Sequence, residues 1–274
     1  MIDPKEGFHW LLKKLPISSL NLRLDFDLFS RPHYAYCIYQ ACYIAQKLSL
    51  TKISAIEFGV AGGNGLKAIE AIVEEIEIAT GVEVEIYGFD SGKGLPKPED
   101  PRDLPYIWQQ GFFAMDENAL RQTLKKSALV LGDVKDTVAD FVTKYQPAPI
   151  GAVFHDLDYY SSTVAALKLF ECENKYLLPR VFCYFDDIMS SNIGIISESV
   201  GQLCAIKEYS QQHDNRKLEK VNGLNYIRYF PSRWNDQIFV LHCFDHPLYS
   251  NYIHPDLDRQ LKLQSCGAWL IVNS

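Results

Sequence analysis

Apolar and polar positions divide the chain into a lead-in, an alternating core and a tail. Residues 1–50 read as a mostly helical N-terminal segment. Apolar and aromatic residues are dense from Tyr34 to Leu48. Tyr36, Tyr39 and Tyr43, three and four apart, share one helix face, which is assigned to core packing. From residue 53 the period changes. Ile53–Phe58 reads as a short buried strand, Gly59–Gly65 as a glycine-rich turn, and Leu66–Thr80 as a helix with Leu66, Ile69, Ile72, Val73 and Ile76 on its inner face. Further strands are expected at Val84–Phe89, Leu129–Leu131, Ile150–Phe154 and Val181–Phe185. Helices are expected near 116–126, 135–144, 162–172 and 197–210. The tail carries strand-like runs at Asn225–Phe230 and Gln237–Phe244. Strand and helix alternate five times. This predicts an α/β fold, a doubly wound, mainly parallel Rossmann-like sheet with helices on both faces. The expected organisation is a 1–50 helical segment followed by one domain over 51–274, with 92–115 inserted as a Pro- and aromatic-rich loop.

Ligands of such sheets bind outside the carboxyl ends of the strands, so the residues there carry the chemistry. Those ends are acidic. They read Glu57, Asp90, Gly132-Asp133, His155-Asp156-Leu157-Asp158 and Asp186-Asp187. Helix capping accounts for part of this, at Asp158 or Ser162 for instance. It accounts less well for Glu57, which precedes a glycine turn, or for the adjacent Asp186-Asp187. Like charges this close need a cation or a raised pKa.

The glycine turn, Glu57-Phe58-Gly59-Val60-Ala61-Gly62-Gly63-Asn64-Gly65, lets backbone approach a ligand closely. The dinucleotide fingerprint GxGxxG fails, because Ala61 and Asn64 stand at its third and sixth positions. Glu57, Gly59, Ala61 and Gly63 instead meet acidic-x-Gly-x-small-x-Gly. This resembles the first motif of class I S-adenosylmethionine (SAM)-dependent methyltransferases. Asp90, ahead of Ser91, stands where a carboxylate accepts hydrogen bonds from ribose hydroxyls. NAD enzymes share that feature, so it indicates a nucleoside without choosing the cofactor. The resemblance implies adenine contact near Asp133, where a surface helix cap is the alternative.

Adjacent strands lie about 4.8 Å apart, so Asp156 can meet Asp186 and Asp187. Three carboxylates without Cys or His make a hard oxygen site, suited to Mg²⁺ or another hard divalent cation rather than Zn²⁺. Asp156-Leu157-Asp158-Tyr159-Tyr160-Ser161-Ser162-Thr163 fits DxDxYxST, followed by Ala165-Ala166-Leu167 and Phe185-Asp186-Asp187. With Gly88-Phe89-Asp90 and Gly94-Leu95-Pro96, it resembles the macrocin O-methyltransferase family of Mg²⁺-dependent sugar O-methyltransferases, over about residues 55–190. The chain differs at Ala61-Gly62, where that family usually carries an aromatic–basic pair, and lacks its Pro-Gly-Gly turn before the fifth strand. The resemblance implies that Asp156, Asp186 and Asp187 hold the metal, and that Glu57 and Asp90 hold SAM. A hydroxyl of a small molecule, a sugar or glycosylated metabolite, would be the acceptor. A catechol-like acceptor and a non-catalytic SAM-binding partner subunit are the alternatives. Asp156 is a candidate ligand and proton acceptor, and His155 a second candidate base, although a strand-interior His tends to face away. His242, His246 and His254 are more distant candidates. Aromatic residues Tyr106, Trp108, Phe112 and Phe113 in the insertion suit stacking on a sugar or closing over the cofactor.

Composition narrows the classes. A balance of 47% apolar and 22% charged residues argues against wholesale disorder. With 27 basic against 34 acidic residues, net charge is −7, and no long Lys/Arg run occurs, so nucleic acid is not an expected partner. No apolar run reaches the roughly 18–20 residues of a membrane span. Met1–Glu6 has neither the basic nor the apolar part of a signal peptide, so a cytoplasmic location is expected. The seven cysteines, odd in number and without a CxxC pair, read as buried, reduced thiols. Oligomeric state is left open, with a homo-oligomer admitted.

Overall fold

The structure, a computed structural model, describes residues 4–15 and 19–254. Its centre is β1 (Lys52–Phe58), buried on both faces because both are covered. It runs parallel between β2 (Glu83–Asp90) and β4 (Ile150–His155). β3 (Ala128–Leu131) continues the sheet beyond β2, and β5 (Leu177–Phe185) lies beside β4, again parallel. β7 (Ile238–Cys243) and β6 (Arg216–Lys220) then add two antiparallel strands, giving the order β3-β2-β1-β4-β5-β7-β6. The order reverses between β1 and β4, which opens a crevice at the carboxyl ends there.

Each face of the sheet has its own core. On one, α3 (Pro32–Lys47) and α4 (Asn64–Thr80) cover Ile53, Ala55, Val84 and Ile86 with Ile38, Ile69, Ile72 and Ile76. On the other, α6 (Val134–Tyr145), α7 (Tyr160–Leu167) and α8 (Gly201–Gln212) cover Ile56, Phe58, Phe89 and Val153 with Phe141, Leu167 and Tyr209. The alternation of β1 side chains between these cores fixes its register, since a one-residue slip would exchange the faces. Ahead of α3 lie α1 (Pro4–Lys14) and α2 (Leu20–Asp25). The turn that follows the second is joined to the tail by a buried ion pair between Asp27 and Arg228. The helical lead-in is thus packed on the sheet through α3 rather than standing apart from it.

Several expectations change. Tyr36, Tyr39 and Tyr43 are partly buried on the flank of α3, where Tyr36 and Tyr39 pack against the core as expected. The fully buried face of the helix carries Tyr34, Cys37, Ile38, Ala41 and Ala45. The helix expected over 116–126 is the short α5 (Glu117–Arg121). Beyond it the backbone N–H groups of Lys125, Lys126 and Ser127 donate to the Glu70 carboxylate rather than continuing a helix. The helix expected from 162 begins at Tyr160 and tightens into a 3₁₀ turn over Lys168–Glu171. Asn225–Phe230 is no strand. It holds the short helix α9 (Leu224–Ile227), and β6 takes the sheet edge at Arg216–Lys220. That strand escaped the apolar pattern because an edge strand keeps charges outward, and only Leu218 is buried.

The insertion is anchored at its centre. Asp103, fully buried, accepts the N–H groups of Glu99 and Asp100 and, from the start of α7, the Ser161 N–H and hydroxyl. Beyond this anchor Tyr106, Phe112 and Phe113 are exposed. Cys37, Cys42, Cys183, Cys204 and Cys243 are buried thiols and Cys172 is half-buried. Cys266 lies outside the described residues, as does 255–274 of the domain expected over 51–274. Among the described residues no helix is long and apolar enough to cross a membrane.

Candidate functional site

The carboxyl ends of β1 to β5 surround a crevice of about 730 Å³. Its floor between β1 and β4 is tight. The Asp156 N–H donates to Phe58 O at 2.9 Å, and the Gly59 N–H donates to Phe89 O at 2.9 Å. Gly59 has φ +85, and a Cβ there would run into the Asp156 carbonyl, so no other residue fits. Gly63, at φ +78, opens α4. A Cβ on Gly65 would strike the Glu57 carboxylate. Ala61 holds φ +45, the left-handed region, at the crest of the turn.

Asp90 staples this turn to β2. Its Oδ2 accepts the N–H groups of Val60 and Ala61, both at 2.9 Å, and its Oδ1 accepts Gly92 N–H at 2.7 Å. A carboxylate offers about four lone-pair positions, so Asp90 keeps room for a ligand hydroxyl. Ser91 holds the next turn. Its hydroxyl donates to Gly94 O at 2.8 Å and accepts Lys93 N–H at 3.0 Å. Asp133 caps α6 by accepting Lys135 N–H at 2.9 Å, and also lines the crevice. Glu57 is buried. Its Oε1 accepts the Tyr34 hydroxyl at 2.8 Å, while Oε2 has no hydrogen-bond partner. Burial pushes its carboxyl up to about 8, opposed by the Tyr34 hydrogen bond and the Arg31 charge.

Across the floor the carboxylates converge. Asp156, Asp186 and Asp187 each place an oxygen within 4.8 Å of the others. The Tyr184 hydroxyl donates to Asp186 Oδ1 at 2.5 Å, and Asp187 Oδ2 accepts the Asp158 N–H at 2.9 Å. Gln237 fixes the backbone beneath, donating to Phe185 O and Asp186 O. Gln202 accepts the Asp187 N–H at 3.1 Å. No cation of the chain pairs with the three acids among the described residues. Burial and then the charges of Asp187 and Asp186 push Asp156 up to about 8, and burial with Asp158 and Asp186 drives Asp187 up as well. Three crowded oxygen donors short of positive charge match the demand of a hard divalent cation, so these residues fit such an ion.

His155 is not part of this group. Its ring is fully buried, stacked against Phe185 at 4.4 Å and Phe58 at 5.3 Å in the core beneath the sheet, and burial lowers it to about 3. Strand alternation sends its side chain to the face opposite that of Phe154. His242 bonds the Tyr249 hydroxyl and His246 accepts the Leu248 N–H. Neither these nor His254 lines the crevice. Asp158 does not cap α7, whose N-cap is Tyr159. It holds φ +59 on the crevice wall, and burial followed by the Asp156 charge raises it to about 7. The sequence reading missed Arg31, which lines the crevice from the start of α3, and Tyr34. Both precede the alternating core, and only the packing of α3 against β4 and β5 brings them to β1.

No protein-family profile matches the chain, and no curated protein matches it. Solved structures do. The structure described as CalS11, calicheamicin methyltransferase, is 22% identical, covers 88% of this chain and 94% of its own, and superposes with a TM-score of 0.53. The O-methyltransferase NovP is 15% identical over 87% of this chain and 98% of its own, also with a TM-score of 0.53. At such identities the likeness is one of fold, and together with the strand order and the crevice at its reversal it shows that this chain has the class I methyltransferase fold.

Proposed function

We propose that the protein is a metal-dependent O-methyltransferase that transfers the SAM methyl group to a hydroxyl of a sugar or glycosylated small molecule. The observation that carries this is the meeting of two sites in one crevice. A nucleoside-type cradle at Glu57, Gly59, Ala61, Gly63, Asp90, Ser91 and Asp133 faces the acidic triad Asp156, Asp186 and Asp187. The two structural relatives, a calicheamicin methyltransferase and an O-methyltransferase, support this reading.

In this reading Asp90 accepts ribose hydroxyls with the lone pairs that the turn leaves free. The glycine turn leaves space for the methionyl part. Asp156, Asp186 and Asp187 would hold the cation. When bound, such an ion lowers the pKa of a coordinated hydroxyl and orients it, and SAM supplies a methyl group open to in-line attack. Asp158 lies beside the triad but outside it, and is the carboxylate left to take the hydroxyl proton. His155, stacked in the core, takes no part. Trp108 and Phe113 form the outer wall, ring centroids 6.1 Å apart, and suit stacking on the apolar face of a sugar. The Asp103 anchor limits movement to the outer part of the insertion.

The test is thermal stabilisation by SAM, S-adenosylhomocysteine and NAD, each with Mg²⁺ and with chelator, followed by methyl transfer to a panel of polyols, glycosides and phenols. SAM stabilisation with Mg²⁺-dependent transfer is expected. Stabilisation by NAD alone would remove the reading, and SAM binding without transfer to any acceptor would favour a non-catalytic subunit.

A further inference from the structure

The carboxyl end of β5 is tied down atom by atom. The Asp186 N–H donates to His155 O at 3.0 Å, and Gln237 Nε2 donates to Asp186 O at 2.8 Å, so the backbone is held from both sides. What remains is the side chain, which is exposed at the crevice. Tyr184 holds it. Its hydroxyl donates to Asp186 Oδ1 at 2.5 Å, a short bond to a carboxylate, and is the side chain's one hydrogen-bond partner among the described residues. Two residues apart at the end of one strand, the two side chains fall on the same side of the sheet. The Tyr184 ring is buried on that side. It stacks on His33 at 4.2 Å and meets the Tyr34 ring edge-on at 5.9 Å, so the hydroxyl has little freedom to turn away. Asp187 is tied in its own way, with Oδ2 accepting the Asp158 N–H. Each of these two acids therefore has one oxygen committed to the chain and one left. The Asp156 side chain accepts no hydrogen bond among the described residues and keeps both oxygens for the shared point of the triad.

We propose that Tyr184 sets the ion preference of the acidic triad: by occupying Asp186 Oδ1 it limits that carboxylate to one oxygen for the cation, and so favours Mg²⁺ over Ca²⁺. This rests on the metal-dependent reading above and adds to it a positioning residue that acts through Asp186. The reason lies in the difference between the two ions. Mg²⁺ is small, demands near-ideal octahedral geometry and keeps several waters, so it suits carboxylates that each offer one fixed oxygen. Ca²⁺ takes roughly six to eight oxygens in flexible geometry and accepts a carboxylate through both of its oxygens. A carboxylate free to turn serves either ion, and one pinned by a hydroxyl serves the first better. Packing does not call for the hydroxyl. Phenylalanine would fill the same space against His33, and a buried hydroxyl by itself only adds a polar group that must be satisfied.

The experiment uses the full chain and follows ion binding rather than turnover. The Kd of Mn²⁺ is read from the EPR signal of the free ion, and those of Mg²⁺ and Ca²⁺ from its displacement. The wild type is expected to bind Mg²⁺ more tightly than Ca²⁺. Tyr184→Phe, which keeps the ring stack, should weaken Mg²⁺ about 10-fold, the lower end of what losing an outer partner costs a metal site. Ca²⁺ should change by no more than about twofold, because a released Asp186 can offer both oxygens. S-adenosylhomocysteine affinity, read by calorimetry, should also stay within about twofold, as for an independent site. A wild type that binds Ca²⁺ at least as tightly as Mg²⁺ would overturn the role of Tyr184 without any variant. So would an unchanged Mg²⁺ affinity in Tyr184→Phe, equal losses of both ions, or a parallel loss of S-adenosylhomocysteine. Each of these leaves the metal-dependent reading intact. A wild type that binds none of the three ions would overturn both.

Discussion

The two halves of the crevice satisfy their charges in opposite ways. On the β1–β2 side Asp90 accepts three backbone N–H groups, and Glu57 receives the Tyr34 hydroxyl beside Arg31. On the β4–β5 side Asp156, Asp186 and Asp187 crowd within 4.8 Å, with no basic side chain of the described residues bonded to them. The first half is built by the chain's own hydrogen bonds and is shaped before a ligand arrives. The second stores unfavourable charge that a cation relieves. The fold itself pays for the first arrangement through hydrogen bonding, whereas the second is stable only because the rest of the domain holds it.

This contrast can be broken most sharply at Asp186. Asp186→Asn is expected to lower the methyl-transfer rate by about 10³-fold, the several kcal/mol a divalent cation supplies. S-adenosylhomocysteine affinity, read by calorimetry, should change little. Equal loss of both would mean that the halves are not separable. Mg²⁺ at about 100 times its Kd should stabilise the wild type by about 2.7 kcal/mol. The shift in Tm should vanish with chelator and in the Asp186→Asn variant, and persistence there would place the ion elsewhere.

Gly59→Ala probes the seam between the halves. The added Cβ meets the Asp156 carbonyl at a φ of +85, and a loss of about 2 kcal/mol or more in denaturant unfolding is expected. A neutral result would show that the floor can relax.

The remaining test concerns Glu57. Its carboxyl is raised to about 8 from 4.5 by burial. Between those values the folded protein holds a proton that the unfolded chain has released, so this group's contribution to stability falls as pH rises. Glu57→Gln removes that dependence. Without cofactor, the variant should gain on the wild type from about pH 5 to about pH 8. A constant difference over that range would mean that the carboxylate is charged throughout.

Much of this was legible in the sequence for identifiable reasons. β1, β2, β4 and β5 were readable because strands buried on both faces leave continuous apolar runs, and their acidic ends followed directly. Asp156, Asp186 and Asp187 converge as neighbouring strands require. β6 was not readable, because a polar edge strand has no such run. The shortened helix before β3 was hidden because its terminator, Glu70, is distant in the chain. Asp158 looked like a cap because nothing local distinguishes a cap from a crevice carboxylate.

The sequence by itself determined the alternation of strand and helix, the glycine turn and the row of carboxylates, since each is written in local periodicity and spacing. Only the tertiary structure decided what those carboxylates face. It turned His155 into an aromatic core, set Asp158 on the crevice wall, and brought Arg31 and Tyr34 on α3 to Glu57. Such contacts depend on how a helix crosses a sheet, and a crossing is set by packing between residues that are far apart along the chain.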